Sequence, residues 1–434
     1  LAALAQAPGV DLVRHGGWFL FSFAFYLSAV ILVLRAEWAG PGPGKRSIVL
    51  DMALILGGAL LMRSLLLATS PSLSDDVFRY VWDGKVRNAG LDPYRYAPSA
   101  PELAYLRDPL WNGINFKSMP TPYPPLAEAL FALAYRLVPD SVKAMQFLAT
   151  TFDLGIVLLL IPMLDRYGLD PRRVLIYAWN PLVVVQFAHS AHYDAAMILP
   201  LLGAIFLLAF GRRALSAGLM GVSVLTKLVP MVAALPFLLL WGLGGTMTMG
   251  VVVGTGLAPW LLASRDAGGV LSEASDARFN DSLGYLLVRL LGRFSPDPDI
   301  VARGVAAGLL LLAAFFLLIW LGRRGADWRG LLLTTYWMLG LFILLNAVVE
   351  PWYLTWMVPF LCFTLGAGRG GMPRLDPALG WLLLSGFVVL TDLTYLPGVG
   401  SSLWVWVRSA EYLPLYGLLG LWGFRGLFLA RRLP

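Results

Sequence analysis

Residues Ile300 to Leu321 read IVARGVAAGLLLLAAFFLLIWL, with Arg303 as the one charged side chain. As a helix rising about 1.5 Å per residue, this run is roughly 33 Å long, the thickness of a bilayer's hydrocarbon core. It has no polar stripe to turn toward water, so it reads as a transmembrane helix. Working outward, the pattern recurs at Gly17–Leu34, Ile48–Ala68, Val142–Leu164, Val174–Ala188 and Tyr193–Phe210. It recurs again at Ala214–Trp241, broken near Pro230, and at Gly250–Ala263, Leu331–Val349, Tyr353–Leu365, Ala378–Leu396 and Leu413–Ala430. The expectation is an all-α polytopic membrane protein with about 12–13 transmembrane helices, depending on how Ala214–Trp241 is counted. β-Barrel strands would instead alternate over segments of about ten residues.

Composition agrees. Of 434 residues, 58% are hydrophobic and 14% charged, against roughly 25% charged in a soluble domain. Mean hydropathy is +0.72. A soluble enzyme and a disordered chain are both excluded. The lone Cys362 excludes a disulfide scaffold and reads as packing; one Cys and three His do not suit a classical zinc site. The opening residues show no basic segment ahead of a small-residue cleavage site, so no removable signal peptide is expected.

The net charge of +7 is a matter of membrane orientation rather than nucleic-acid binding, because the basic residues sit in short loops. Arg35, Lys45 and Arg46, then Arg166, Arg172 and Arg173, then Arg212 and Arg213 can share the cytoplasmic side. Arg323, Arg324 and Arg329, Arg369 and Arg374, and Arg431 and Arg432 follow the same rule. Two long loops then face outward. Thr69–Met119 holds six basic and six acidic residues, and Ser264–Asp281 two basic and four acidic. Pro122–Val138 carries Glu128 and Arg136 and is read as a helix at the interface. No repeat or linker divides the chain, so residues 1–434 are expected to form one membrane domain, with a large outer loop at 69–121 and a second at 264–281.

The first outer loop reads SDDVFRYVWDGKVRNAGLDPYRY from Ser74. Ser74 suits an N-cap for a short helix from Asp75 to about Asn88, ended by Gly90. Asp76, Arg79, Tyr80, Asp83 and Arg87 share one helical face, and Phe78, Val81, Trp82 and Lys85 another. That pattern predicts an amphipathic helix resting on the bilayer with its polar face toward a cavity. Asp75 and Asp76 suit capping alone. However, a loop this long and this aromatic is neither filler nor disorder.

Other polar residues fall at the same membrane face. AHSAHYD supplies His189, His192 and Asp194, without an evident third metal ligand. Lys227 lies in an apolar stretch beside Pro230 and needs a counter-charge, which a lipid phosphate would supply. Glu350 opens a segment with Trp352, Tyr353 and Trp356, an aromatic belt. Arg265, Arg278 and Asn280 lie in the second outer loop, and Asp153 lies mid-span. Aromatics such as Tyr80, Tyr94 and Tyr123 suit the faces of a pyranose. Basic residues suit a phosphate, and the bilayer suits a lipid tail. Together they point to a lipid-linked sugar.

SDDVFRYVWDG, LDPYRY and PTPYPPLAEALF, with WNPLVVVQFAHSAHYD, LTKLVP, RFNDSLGYLL and EPWYLTWMVP, resemble the GT-C superfamily of integral-membrane glycosyltransferases. Within it the chain is similar to glycosyltransferase family 87 and bacterial α-mannosyltransferases; HSAHYD departs from the shorter patterns of that family. The resemblance implies an inverting transfer of a hexose, mannose favoured, from a polyprenyl-phosphate sugar to a hydroxyl of a lipid-linked or glycan acceptor. It places a catalytic carboxylate in the first outer loop, at Asp75 or Asp76. Asp76 is preferred because Arg79, on its face, would keep it ionised. Lys227 with Arg265 or Arg278 would steady the leaving phosphate. Arg79, Tyr80, Asp83, Tyr94, Tyr123, His189, His192, Asp194, Asn280, Glu350, Trp352 and Tyr353 are candidate substrate contacts. No cofactor is expected for a monophosphate donor, although a divalent metal stays open. The setting implied is a bacterial inner membrane with the site facing the periplasm. The rival readings are a lipid or sugar transporter, with Asp153, Lys227 and Glu350 as coupling sites, and a non-catalytic scaffold.

Overall fold

The structure, a computed structural model, describes residues 11–39, 45–263, 280, 282–295, 297–396 and 401–430. Among the described residues there is no β-strand; helices and 3₁₀ turns make the fold. In chain order the helices are α1 (Leu12–Trp38), α2 (Lys45–Leu67), α3 (Asp76–Asn88), α4 (Pro125–Leu137) and α5 (Val142–Tyr167). Next come the one-turn α6 (Leu175–Ala178) and α7 (Pro181–Val184), then α8 (Ala195–Leu208), α9 (Arg213–Thr226) and α10 (Leu238–Ala263). The rest are α11 (Leu283–Leu291), α12 (Pro298–Arg323), α13 (Trp328–Leu345), α14 (Val358–Thr364), α15 (Pro377–Phe387) and α16 (Ser401–Ala430).

Seven helical stretches among the described residues are long and apolar enough to cross a bilayer. The protein is an all-α, multi-pass membrane protein. Several expected spans are broken for physical reasons. Val174–Ala188 divides at Trp179–Asn180, because Pro181 disfavours the helical conformation at the residue before it. Ala214–Trp241 breaks at Lys227, whose backbone is extended ahead of Pro230 and Pro236. Gly250–Ala263 is the second half of α10, which kinks at Gly242, where φ is +63°. Tyr353–Leu365 becomes a 3₁₀ turn followed by the short α14. The interfacial segment forms α4, whose 13 residues reach only about 20 Å, short of a bilayer core.

The chain forms two compact units, each discontinuous in sequence. One comprises residues 1–66, 160–186 and 350–434. Its centre is Asn180, which caps α7 through Leu182 N–H and donates to Ser385 Oγ at 3.1 Å. The Tyr26 hydroxyl donates to the Ile176 carbonyl at 2.6 Å. Arg173 pairs with Glu37 at 2.8 Å and donates to the carbonyls of Cys362 and Leu365. Cys362 is fully buried, as its apolar setting predicts.

The other unit comprises residues 67–159 and 187–349. Its segment at residues 69–121 does not leave one face of α3 open, contrary to the sequence expectation. Val77, Arg79, Tyr80, Val81, Trp82, Asp83 and Val86 are all buried, so both expected faces pack on protein, while Arg87 is exposed. The cause is enclosure: α4 covers one side and the loop at 91–119 covers the other. Gly84 permits the close approach to α4, since a β-carbon there would fall 2.5 Å from the Phe131 carbonyl oxygen. Gly90 ends α3 in a left-handed turn (φ +76°), with Leu91 N–H returning to the Val86 carbonyl.

Candidate active site

The start of α3 is built from the polar residues that precede it. Ser74 Oγ accepts from Asp76 N–H at 3.3 Å, so Ser74 supplies the helix-start hydrogen bond and both aspartates stay free of capping duty. Instead they share one donor. The side-chain amide of Asn115 donates to Asp75 Oδ1 at 3.0 Å and to Asp76 Oδ1 at 2.8 Å. That leaves Asp76 Oδ2 as the open oxygen. His192 Nδ1 stands 3.9 Å from it.

Asp76 is about four-fifths buried. Burial pushes its carboxyl up to about 6, and the charge of Asp75 adds to the shift. The Asn115 hydrogen bond and the Lys227 charge oppose it. Arg79 does not hold Asp76 ionised, contrary to the sequence expectation. Its Nε is 2.9 Å from both oxygens of Asp83, and its Nη2 donates to the Met119 carbonyl at 3.0 Å. An i,i+4 partner on the same helix outcompetes an i−3 one here.

His192 reaches Asp76 because the chain reverses at Ala191, a left-handed residue (φ +61°) between the end of the Val185–His189 turn and α8. The imidazole is fully buried. Burial, with the Lys227 charge nearby, holds its pKa well below the ordinary histidine value, so the ring is neutral. Two residues on, Asp194 Oδ1 accepts from Lys227 Nζ at 2.7 Å. Lys227 is positioned by the break after α9, and its ammonium also lies 5.4 Å from the centre of the Tyr193 ring. The counter-charge of Lys227 is thus a protein carboxylate, where the sequence alone allowed a lipid phosphate.

Tyr80 stacks on Phe131 with centroids 4.6 Å apart, and Tyr123 and Tyr193 meet it edge-on at 5.4 and 5.5 Å. This cluster fixes α3 against α4 and against the residues after Ala191. Beneath it, Thr121 donates to Glu128 Oε1 at 2.8 Å. Glu128 is fully buried, and burial together with the Asp83 charge raises its pKa well above the ordinary value. Its Oε2 has no hydrogen-bond partner, and with the Asp83 charge nearby the neutral, protonated form is the favoured one.

Residues 4–243 match the family described as alpha-(1->6)-mannopyranosyltransferase, N-terminal domain. The chain belongs to this family. It is similar to alpha-(1->6)-mannopyranosyltransferase A of Mycobacterium tuberculosis, at 24% identity over 438 residues covering 91% of this chain and 81% of the relative. No solved structure matches it. The chain is therefore a membrane glycosyltransferase of a mannosyl-transferring family, which agrees with the GT-C and family 87 likeness carried by its motifs.

Within this mannosyltransferase framework the sequence candidates separate. Asp75, Asp76 and His192 come together, with Tyr80, Tyr123, Tyr193, Asp194 and Lys227 around them. Others are tied to the scaffold. His189 Nε2 accepts from Ser72 N–H at 3.2 Å, so its proton is on Nδ1, which lies 2.8 Å from Thr69 Oγ1. Tyr94 donates its hydroxyl to the Tyr123 carbonyl at 2.9 Å, fixing the loop ahead of α4. Arg79 and Asp83 are spent on each other. Asn280 is buried with φ +46° just ahead of α11. Glu350, Trp352 and Tyr353 belong to the other unit, where Tyr353 stacks on Trp356 at 4.5 Å. Arg265 and Arg278 lie outside the described residues.

Four contributors escaped the sequence reading. Asn115 sits in irregular loop, where periodicity gives no signal. Thr121 and Glu128 read as a loop residue and an interfacial acid. Gln146 donates to the carbonyls of Ala188 and His189 at 2.9 and 2.8 Å, a fastening legible only in three dimensions.

Proposed function

We propose that the protein transfers mannose from a polyprenyl-phosphate mannose to a hydroxyl of a lipid-linked or glycan acceptor, forming an α-(1→6) bond with inversion, at the periplasmic face of a bacterial inner membrane. The observation that carries the reading is the Asp76 carboxylate. It is mostly buried, held through one oxygen by Asn115, open at the other, and raised to about 6. Such a group is still about nine-tenths ionised at pH 7 and is a stronger base than an exposed aspartate.

In the proposed step the acceptor oxygen attacks the anomeric carbon and its proton passes to Asp76 Oδ2. The bond from anomeric carbon to phosphate oxygen breaks, and polyprenyl phosphate departs with the electron pair. Lys227, held at the site by Asp194, brings its ammonium charge to meet the charge growing on that phosphate. Arg265 or Arg278 would add to it. Asp75, sharing the Asn115 amide, orients a sugar hydroxyl. A monophosphate leaving group suits an ammonium, so the step is proposed to run without a metal. An apolar groove of about 590 Å³, lined among others by Leu130, Phe152, Leu199, Pro200 and Thr226, supports the lipid donor. Thr226 and Ala196 adjoin the Lys227 and Asp194 pair, so the groove offers a tail its bed close to a phosphate site.

The test is transfer in nanodiscs from a panel of polyprenyl-phosphate sugars to lipid and oligosaccharide acceptors, with product read by mass spectrometry. A mannoside made by wild type and lost in Asp76→Asn supports the reading. Donor binding without any new glycoside would move the protein to transport.

A further inference from the structure

The loop that carries the Asn115 clamp continues into a residue that neither the core nor the turn accounts for. Phe116 has φ +42°, a left-handed backbone that a bulky side chain seldom adopts. The conformation itself has a purpose. Met119 N–H donates to the Phe116 carbonyl at 3.0 Å, Arg79 Nη1 approaches that oxygen at 3.5 Å, and Asn115 is left facing the two carboxylates. Glycine or asparagine would hold this turn at less cost. Burial does not explain the ring either, since Phe116 is 71% exposed. A strained backbone persists where function repays it, and this one sets an aromatic ring beside the Asn115 clamp of the proposed base.

We propose that Phe116 is an acceptor-binding residue, its ring stacking on a pyranose of the saccharide acceptor while that acceptor presents its hydroxyl to Asp76. Consecutive Cα atoms are about 3.8 Å apart, and the Asn115 amide is 2.8 Å from Asp76 Oδ1. The root of the ring is thus within roughly 10 Å of the reacting carboxylate, a span of one or two sugar units. The C–H-lined face of a pyranose is apolar and slightly positive, and meets the negative face of an aromatic ring. A phenyl ring adds no hydrogen bond, so it holds the plane of the sugar without dictating its hydroxyl pattern. This rests on the acceptor being a saccharide, as proposed above.

The experiment compares wild type with Phe116→Gly, Phe116→Leu and Phe116→Trp in nanodiscs. Three readouts are taken: acceptor KM against kcat with an α-(1→6)-linked mannotriose, thermal unfolding, and calorimetric binding of the same mannotriose in an Asp76→Asn background. Phe116→Gly is expected to unfold a few degrees higher through relief of the left-handed strain. Its acceptor KM and Kd should rise about tenfold, the loss of one stacking contact, with KM changing more than kcat. Phe116→Trp should keep both constants, and Phe116→Leu should resemble Phe116→Gly in binding. A Phe116→Gly protein with unchanged KM and Kd overturns the proposal. So does a Phe116→Leu protein that binds like wild type, because an apolar anchor in the bilayer would need no aromatic ring. Absence of mannotriose binding by the Asp76→Asn parent also overturns it. If that parent binds but wild type transfers nothing, the proposed function falls, and the Phe116 dependence of Kd still decides this inference.

Discussion

His192 Nδ1 stands 3.9 Å from Asp76 Oδ2, and the imidazole is fully buried while the carboxylate keeps about one-fifth of its surface. Two groups whose ordinary titrations lie near 3.8 and 6.5 are thus adjacent, with opposite shifts. Burial raises the acid to about 6 and drives the histidine pKa down, so at neutral pH the pair is a carboxylate beside a neutral ring.

The first prediction concerns pH. The base must be ionised to act, so kcat/KM for transfer should fall as pH drops below about 6, with a single acidic limb there. His192→Gln should lower the rate but keep that limb, since the ring is neutral throughout. A limb that vanishes in His192→Gln would assign the titration to the imidazole.

Stability should move against activity at Asp76. Its folded pKa, about 6, lies above the ordinary aspartate value of 3.8, so the folded state binds more protons between those values. Stability therefore declines as pH rises through that window and stays lower above it. Asp76→Asn removes the charge and should stabilise the protein at pH 7 by something of the order of 2 kcal/mol while abolishing transfer. Unfolding followed at pH 5 and pH 8 checks this, with the gain larger at pH 8.

Asn115 should matter as much as a direct substrate contact. Asn115→Ala removes the donor shared by Asp75 and Asp76, leaving two carboxylates to repel each other. The acidic limb should move above 6, and kcat should drop by about 10- to 100-fold. Asn115→Asp, which adds a third carboxylate, should be worse. Unchanged pH–rate profiles in both variants would remove the clamp from the mechanism.

Under α3, Glu128 and Asp83 should respond oppositely to loss of charge. Glu128 is held neutral by burial and the Asp83 charge, so Glu128→Gln changes no charge and should cost little. Asp83→Asn strands the buried Arg79, whose exposure is 2%, and should cost about 3–5 kcal/mol. Chemical or thermal unfolding in detergent distinguishes the two.

Lys227 and Asp194 form a pair whose halves serve different ends. Lys227→Met should raise donor KM and lower kcat, because the charge that meets the phosphate is gone. Asp194→Asn should chiefly destabilise, because a mostly buried ammonium loses its 2.7 Å partner. Donor kinetics and unfolding, measured for both variants, separate the roles.

The helical membrane character was legible because apolar runs such as Ile300–Leu321 admit no other solvent. The acid pair at Asp75 and Asp76 stood out in the sequence because the loop around it is long and aromatic, and the structure brings both carboxylates onto the one Asn115 amide. Helical phase alone misled about α3: it assumed one free face, whereas α4 and the loop before it close on both. It also assigned Arg79 to Asp76, when Asp83 lies one turn away on the same helix. Asn115 and Ala191 were illegible, because irregular backbone carries no periodicity and their value lies in long-range contacts. The broken spans followed proline rules visible in the sequence at Pro181 and Pro230, although hydropathy smooths over them.

The most direct test of the central claim is the rate of mannosyl transfer by Asp76→Asn against Asp75→Asn, at matched folding, from polyprenyl-phosphate mannose. With Asp76 as the base, wild type makes product, Asp76→Asn loses at least about 10³-fold, and Asp75→Asn keeps partial activity. Full activity in Asp76→Asn would contradict it.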